Sequence, residues 1–331
     1  MGPTLTRRRF VRIAAAVAGL APAVAAGGPL PRAEEPRPVV WRGVTFGALT
    51  SITVRHPDRA AARRILLRAE AEIARLEAMF TLYRPDSHLV RLNRDGRLAE
   101  PPADFVRLLS QAAALGDLTG GAFDVSVQPL WELYAGCFLA GRPAPPSRDA
   151  VRRAVERVDY RAIEIEPAMV RLARPGMALT LNGIAQGYVT DRVAELLREE
   201  GLTDMLVDIG EIRALGSGGA GEPWRAAIRD PFAADRIVAE LPLRDQALAT
   251  SGPYGFRFDE HGRFHHIFDP RSGDCPQGHA SASVFAPAAS VADALATAFI
   301  VMPEAEVVAA LRAAGATRAL LVDRTGRTRL V

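Results

Sequence analysis

The 331-residue sequence contains no lysine: all 41 of its basic side chains are arginines. With alanine abundant throughout, this reads as a compositional habit of the source rather than as a functional patch. Cysteine is nearly absent as well. Cys137 and Cys275 are the only two, which excludes a disulfide framework, and no Cys-x-x-Cys metal motif exists. No stretch stays disordered or low in complexity for long, and 49% of the residues are hydrophobic, enough for a sizeable core. A basic stripe interleaved with aromatics is also missing. Its absence argues against nucleic acid as a partner despite a sequence pI of about 9.2.

The basic excess has a location. Arg7, Arg8, Arg9 and Arg12 fall in the first 25 residues, which hold no acid; taking those four from 41 leaves 37 basic against 38 acidic residues, a net of −1. Thr6-Arg7-Arg8-Arg9-Phe10-Val11 fits a twin-arginine export signal. An apolar stretch from Ile13 to Leu20 follows, then Ala23-Val24-Ala25, an A-x-A cleavage pattern. The apolar run is too short to span a bilayer, which needs about 20 apolar residues. No cysteine follows it, which argues against a lipid anchor. The expectation is a signal over 1–26 that engages the twin-arginine export machinery, a Pro/Gly-rich linker over 27–43, and a single domain over 44–331 working in the periplasm.

Within that domain, Val44–Val54 reads as a strand. Asp58 reads as the N-cap of a long helix carrying Ile65, Ala69, Ile73, Leu76 and Phe80 on one face. A second helix is expected over Ala103–Asp117, and another after Pro143–Ser147. From Tyr160 the pattern turns to strands at 162–165, 170–173, 178–181, 205–209, 224–228, 237–241, 247–250 and 281–285. A helix is expected over 187–198, one over 289–301 and one opening at Pro303, before a last strand pair at 319–322 and 328–331. Strands and helices without strict alternation predict an α+β fold of mixed sheets with flanking helices.

Five segments set isolated polar groups among glycines and small apolar residues. They are Thr81–Ser87 with Asn93, Gly120–Leu130, Leu181–Asp191, Ala249–Tyr254 with His265–Gly273, and Ser290–Ala298. Each alone has a bland reading as a turn or a helix acid. Asp293 and Thr297 are more pointed. They lie four apart on a predicted helix and so share a face, among Ala292, Ala294, Ala296 and Ala298. A carboxylate there is costly unless it is paired or bound to a metal. Carboxylate, hydroxyl and backbone oxygens suit a hard cation such as Mg²⁺.

In this order the segments resemble the ApbE family of FAD:protein FMN transferases. The resemblance is carried by Tyr83-Arg84-Pro85-Asp86-Ser87, Gly121-Ala122-Phe123-Asp124, Gly183-Ile184-Ala185 with Gly187-Tyr188, Thr250-Ser251-Gly252, His266-Ile267-Phe268-Asp269-Pro270 and Ala292–Thr297. It implies a single large domain with its active site in a cleft between two lobes, FAD as substrate and Mg²⁺ as metal. Residue by residue it implies that Phe46, Tyr83, Ala122, Phe123, Asp124, Thr180, Gln186 and Ile267 line the FAD site. His266 would lie beside the reacting end, with Asp191 supporting the site from its helix. The metal would be held by the Gly183 carbonyl, Asp293, the Ala296 carbonyl and Thr297.

The sequence departs from the family pattern at two places. Thr180, Asn182 and Gln186 stand where an aspartate, a glycine and a lysine are common, and the usual Gly-Gly-Asp of the next loop is shortened to Gly210-Glu211. The implied reaction is attack by a Ser or Thr hydroxyl of a target flavoprotein on the FMN-side phosphorus of FAD, with release of AMP. Two alternatives stay open: an FAD pyrophosphatase using water, and a non-catalytic flavin-binding maturation accessory. The twin-arginine leader with a divergent third motif is also similar to periplasmic members that assist nitrous oxide reductase maturation, whose target would be membrane-bound.

Overall fold

The computed structural model describes residues 36–139, 144–233 and 235–331. The expected export signal and most of the expected linker lie outside these residues. The linker ends earlier than its composition suggests, because strand β1 spans Val39–Thr45. It is an edge strand with one face in solvent, so Arg42 and Gly43 disguise it. Instead of one strand over 44–54, β1 turns back into β2 (Ala48–Val54) through Phe46-Gly47, with Thr45 paired to Ala48. Both turn residues have positive φ, 48° and 81°, the demand of a two-residue hairpin of right-handed twist. Glycine meets it freely; phenylalanine meets it at a cost.

Helix α1 (Arg59–Phe80) starts where expected, with the Asp58 carboxylate accepting from the N–H groups of Ala60 and Ala61. Then follow α2 (His88–Asp95), β3 (Arg97–Ala99), α3 (Ala103–Leu118), α4 (Gln128–Leu139), α5 (Arg148–Val155), β4 (Ile163–Glu166), β5 (Met169–Leu172) and α6 (Ala185–Glu199). Next come β6 (Met205–Asp208), β7 (Ile212–Leu215), β8 (Trp224–Arg229), β9 (Ile237–Leu243), β10 (Gln246–Ser251) and β11 (His279–Ala286). The chain closes with α7 (Ala289–Val301), α8 (Glu304–Ala313), β12 (Arg318–Asp323) and β13 (Thr328–Leu330). Eight strands form one antiparallel sheet in the order β1-β2-β6-β7-β10-β11-β12-β13. A three-stranded sheet, β3-β5-β4, and the pair β8-β9 stand apart from it.

No strand forms over 178–181. There the backbone is used differently: the Asn93 side-chain amide donates to the Leu179 carbonyl at 2.8 Å and its oxygen accepts from Leu179 N–H at 2.7 Å. Thr180 N–H donates to Val125 O at 2.8 Å. One asparagine thus replaces a strand neighbour and ties α2 to this loop.

The main core lies between the eight-stranded sheet and helices α1, α6 and α7. Helix α7 is apolar on nearly all sides and buried, as a helix inside a core must be. Its alanines let it approach its neighbours closely. A Cβ built on Gly187 of α6 would sit 2.4 Å from the Ala289 carbonyl oxygen and 2.7 Å from Ser290 Cα. A separate aromatic cluster gathers Tyr134, Phe138, Phe258, Phe264 and Phe268 around α4. Among the described residues no helix is long and apolar enough to cross a membrane.

Candidate active site

Where the main core meets the aromatic cluster, a cavity of about 910 Å³ opens. Of the residues expected to bind FAD, all eight border it: Phe46, Tyr83, Ala122, Phe123, Asp124, Thr180, Gln186 and Ile267. His266, Gly183, Asp293 and Thr297 border it too. Phe46 is held at its strained hairpin tip by its N–H, which donates to Glu77 Oε1 at 2.9 Å. Strain retained at a site wall is the pattern expected where geometry serves function. Asp124 faces the cavity only in part. Its Oδ1 accepts from the N–H and hydroxyl of Ser126 at 2.7 and 2.6 Å, and its Oδ2 from Tyr160 N–H at 3.1 Å. Those bonds shape the Gly120–Val127 loop, so this carboxylate organises the wall.

Two expected site residues do not reach the cavity. Ala296 is fully buried in α7 and adds nothing to the wall. Its carbonyl points along the helix, where a ladder carbonyl has its partner four residues on. Asp191 is likewise absent from the wall. Its carboxylate caps the start of α7, accepting from Ala289 N–H at 2.8 Å, Ser290 N–H at 2.9 Å and Ser290 Oγ at 2.7 Å, and it pairs with Arg213. Asp191 is a positioning residue.

Asp293 returns the favour. Its Oδ2 accepts from Gly187 N–H at 3.1 Å in the first turn of α6. Neither helix has a side-chain cap of its own, Ile184 and Ala288 being the N-cap residues. Each helix therefore takes a carboxylate from the other to satisfy its orphan N–H groups, an arrangement that the helix dipoles also favour. This crossed capping fixes Asp293 and Thr297 against Gly183.

The donor set fits a hard cation. Thr297 Oγ1 lies 3.0 Å from Ser251 Oγ, and a Cβ on Gly183 would come 3.2 Å from Thr297 Oγ1 and 3.3 Å from the Phe123 ring. A side chain at 183 would crowd both neighbours. Among the described residues no group of three His, Cys, Asp or Glu is arranged to hold a metal. One carboxylate supplemented by hydroxyl, carbonyl and water oxygens is an ordinary Mg²⁺ set.

The electrostatics point the same way. Burial pushes the Asp293 carboxyl up to about 7, with Gly187 N–H opposing and the Asp191 charge adding. Burial also raises Asp208 to about 7, against one hydrogen bond from Gly210 N–H. Glu211 is raised well above the usual carboxylate range by burial, then by Asp293 and Asp208. Of these three buried acids, Asp293 and Glu211 border the cavity and Asp208 does not; two buried carboxyls on one wall favour a cation beside them. Sequence reasoning missed Glu211 as a site residue. Its signal was a second acid, after Asp208, in the otherwise apolar run Met205–Ile212, just past a strand buried on both faces.

His266 and His265 divide their roles. His265 is fully buried, bonded through Nε2 to Pro276 O at 2.9 Å, and burial lowers it to about 4. His266 borders the cavity, and its Nδ1 lies 3.1 Å from Phe256 O and 3.2 Å from Phe256 N. Nδ1 is thus committed to the backbone and Nε2 is left to the cavity. Burial lowers its pKa, so the ring is neutral near pH 7.

Comparison with known proteins places the chain among relatives. A family model described as the ApbE family matches residues 46–321. A relative from Haemophilus influenzae, described as an FAD:protein FMN transferase, is 35% identical over 248 residues, 71% of each chain. Another of that description, from Treponema pallidum, is 34% identical over 294 residues, 79% of this chain and 81% of its own. Among solved structures, the flavin transferase ApbE from Vibrio cholerae superposes with a TM-score of 0.75 at 28% identity, covering 89% of this chain and 96% of that one. The ApbE protein from Thermotoga maritima gives 0.78 at 27% identity, covering 88% and 96%. With a family model that spans most of its length and relatives of 34–35% identity over more than two thirds of it, the chain belongs to the ApbE family.

Proposed function

We propose that this protein transfers FMN from FAD to a Ser or Thr hydroxyl of a target flavoprotein and releases AMP. The reading follows the names of the relatives, and one observation in the site carries it. Gly183 lies against Thr297, one helical turn on from Asp293, and all three border the cavity that His266 also borders. Phosphoryl transfer needs positioning and charge neutralisation above all. Mg²⁺, held by the Gly183 carbonyl, Asp293 and Thr297, would supply the neutralisation at the pyrophosphate. The protein's own residues do the rest. The apolar wall around Phe123 and Ile267 excludes water, and Phe46 and Tyr83 flank the flavin nucleotide. The acceptor oxygen bonds to the FMN-side phosphorus, the bridging P–O bond breaks, and AMP departs with the bridging oxygen. His266 Nε2 takes the proton of the attacking hydroxyl. That requires the tautomer in which Nδ1–H donates to Phe256 O, in place of the one in which Nδ1 accepts from Phe256 N–H; burial keeps the ring neutral and so able to accept a proton.

In this reading the arginine-rich leader exports the protein by the twin-arginine route, and the target is a periplasmic, membrane-bound flavoprotein. The test is incubation with FAD, Mg²⁺ and a candidate flavoprotein domain, followed by denaturing gels read for flavin fluorescence. A fluorescent band with stoichiometric AMP is expected from the wild type. Asp293→Ala should keep its circular dichroism spectrum and lose the band. Release of free FMN and AMP with every candidate target unlabelled would replace transfer with hydrolysis. Wild-type transfer by Asp293→Ala in a chelator would refute the metal-assisted route.

A further inference from the structure

Glu211 sits in the short loop between β6 and β7. It is 6% exposed, yet its side chain borders the cavity. The Thr250 backbone N–H steadies its carboxylate. Thr250 lies past the last residue of β10 that pairs with β7, so this N–H is free for the purpose. The second oxygen, Oε2, is buried and has no hydrogen-bond partner. Leaving a buried carboxylate oxygen unpaired is among the costlier things a fold can do.

Tyr254 stands near enough for its phenol to feel the Glu211 charge, yet no side chain donates a hydrogen bond to Oε2. Arg213, two residues on, is committed to Asp191. Gln186 packs over Gly210 and gives its amide to Ile209 O at 3.3 Å. Asp293 lies near enough that its charge and that of Glu211 oppose each other. Two acids that face one cavity, share it with the Thr297 and Ser251 hydroxyls and lack a cationic side chain form an all-oxygen set. Hard divalent cations select such a set.

We propose that Glu211 is a second carboxylate ligand of the cation site formed by Gly183, Asp293 and Thr297, closing it from the side of the β6–β7 loop. The proposal rests on the metal reading given above. It makes the shortened Gly210-Glu211 loop a functional feature: with one residue fewer, a longer acid reaches the metal. Two carboxylates also balance the charge of a divalent cation before FAD arrives, so the protein holds its metal without the substrate.

The experiment measures Mn²⁺ binding to FAD-free protein by electron paramagnetic resonance and thermal unfolding in EDTA. The wild type should bind one Mn²⁺. Glu211→Gln, which keeps an acceptor for Thr250 N–H, should bind it roughly 10- to 100-fold more weakly. In EDTA this variant should melt at or above the wild-type temperature, since a buried carboxyl that the fold must keep protonated is replaced by an amide that is neutral in both states. Glu211→Asp, which retracts the carboxylate by one methylene, should fold and bind Mn²⁺ with intermediate affinity. Wild-type Mn²⁺ affinity in either variant would overturn the proposal. If Asp293→Asn lost the metal while both Glu211 variants kept it, the cation site would stand and Glu211 would be a structural acid alone. A wild type that binds no Mn²⁺ would overturn both.

Discussion

Replacing Gly187 with alanine tests the contact on which the site's geometry depends. In an exposed helix the change would stabilise the protein by about 1 kcal/mol, because alanine outranks glycine as a helix former. Here the new Cβ would stand 2.4 Å from the Ala289 carbonyl oxygen and 2.6 Å from its carbon. Both obstacles are backbone, so no side chain can swing aside, and α6 and α7 must move apart by about 1 Å to reach ordinary contact. Overpacking of this kind costs about 1–3 kcal/mol. Separation also stretches the 3.1 Å bond from Gly187 N–H to Asp293, and a hydrogen bond to a charged group is worth about 1.5–3 kcal/mol. The net expectation is a loss of about 2–3 kcal/mol, a drop of roughly 5–10 °C in melting temperature for a domain of this size. Transfer activity should fall further than stability alone requires, since Asp293 and Thr297 ride on the displaced helix. Thermal unfolding by circular dichroism, paired with AMP release, reads both. A variant that melts at or above the wild-type temperature would show that the helices yield easily, and the crossed-capping account would fail.

The companion cap is tested at Asp191. Asp191→Ala orphans two N–H groups and Arg213, and should cost about 3–5 kcal/mol by urea unfolding; Asp191→Asn should recover part of this, and equal loss in both would show that the charge alone matters. The buried acids make metal-free stability depend on pH. Asp208 is raised from 3.8 to about 7 in the fold, so the native state holds a proton that the unfolded state gives up. Its contribution is full below the unfolded value and is lost as pH rises through about 7. Melting in EDTA should therefore occur at a higher temperature near pH 5 than near pH 8, and Asp208→Asn should flatten the difference; an unchanged slope would clear Asp208 of the effect. Replacing Arg7 and Arg8 by lysine should strand the precursor in the cytoplasm, and normal periplasmic accumulation of that variant would refute twin-arginine export.

Local signals sufficed for much of this protein. Helical spacing and a capping aspartate placed α1, and strand-forming runs located most of the large sheet, because periodicity and caps act within a few residues. The glycine-flanked polar segments marked most of the cavity wall, since a chain that approaches a ligand closely must shed side chains. Tertiary structure decided the rest. That Asn93 stands in for a strand beside Leu179 depends on residues 86 positions apart. That Asp191 caps a neighbouring helix instead of entering the cavity depends on a contact 98 residues away. Glu211 became a site residue only when folding buried it, left one oxygen without a partner and set it opposite Asp293. Sequence can announce that an acid is expensive in an apolar run; only the packing of α6, α7 and the β6–β7 loop determines which groups share its cost.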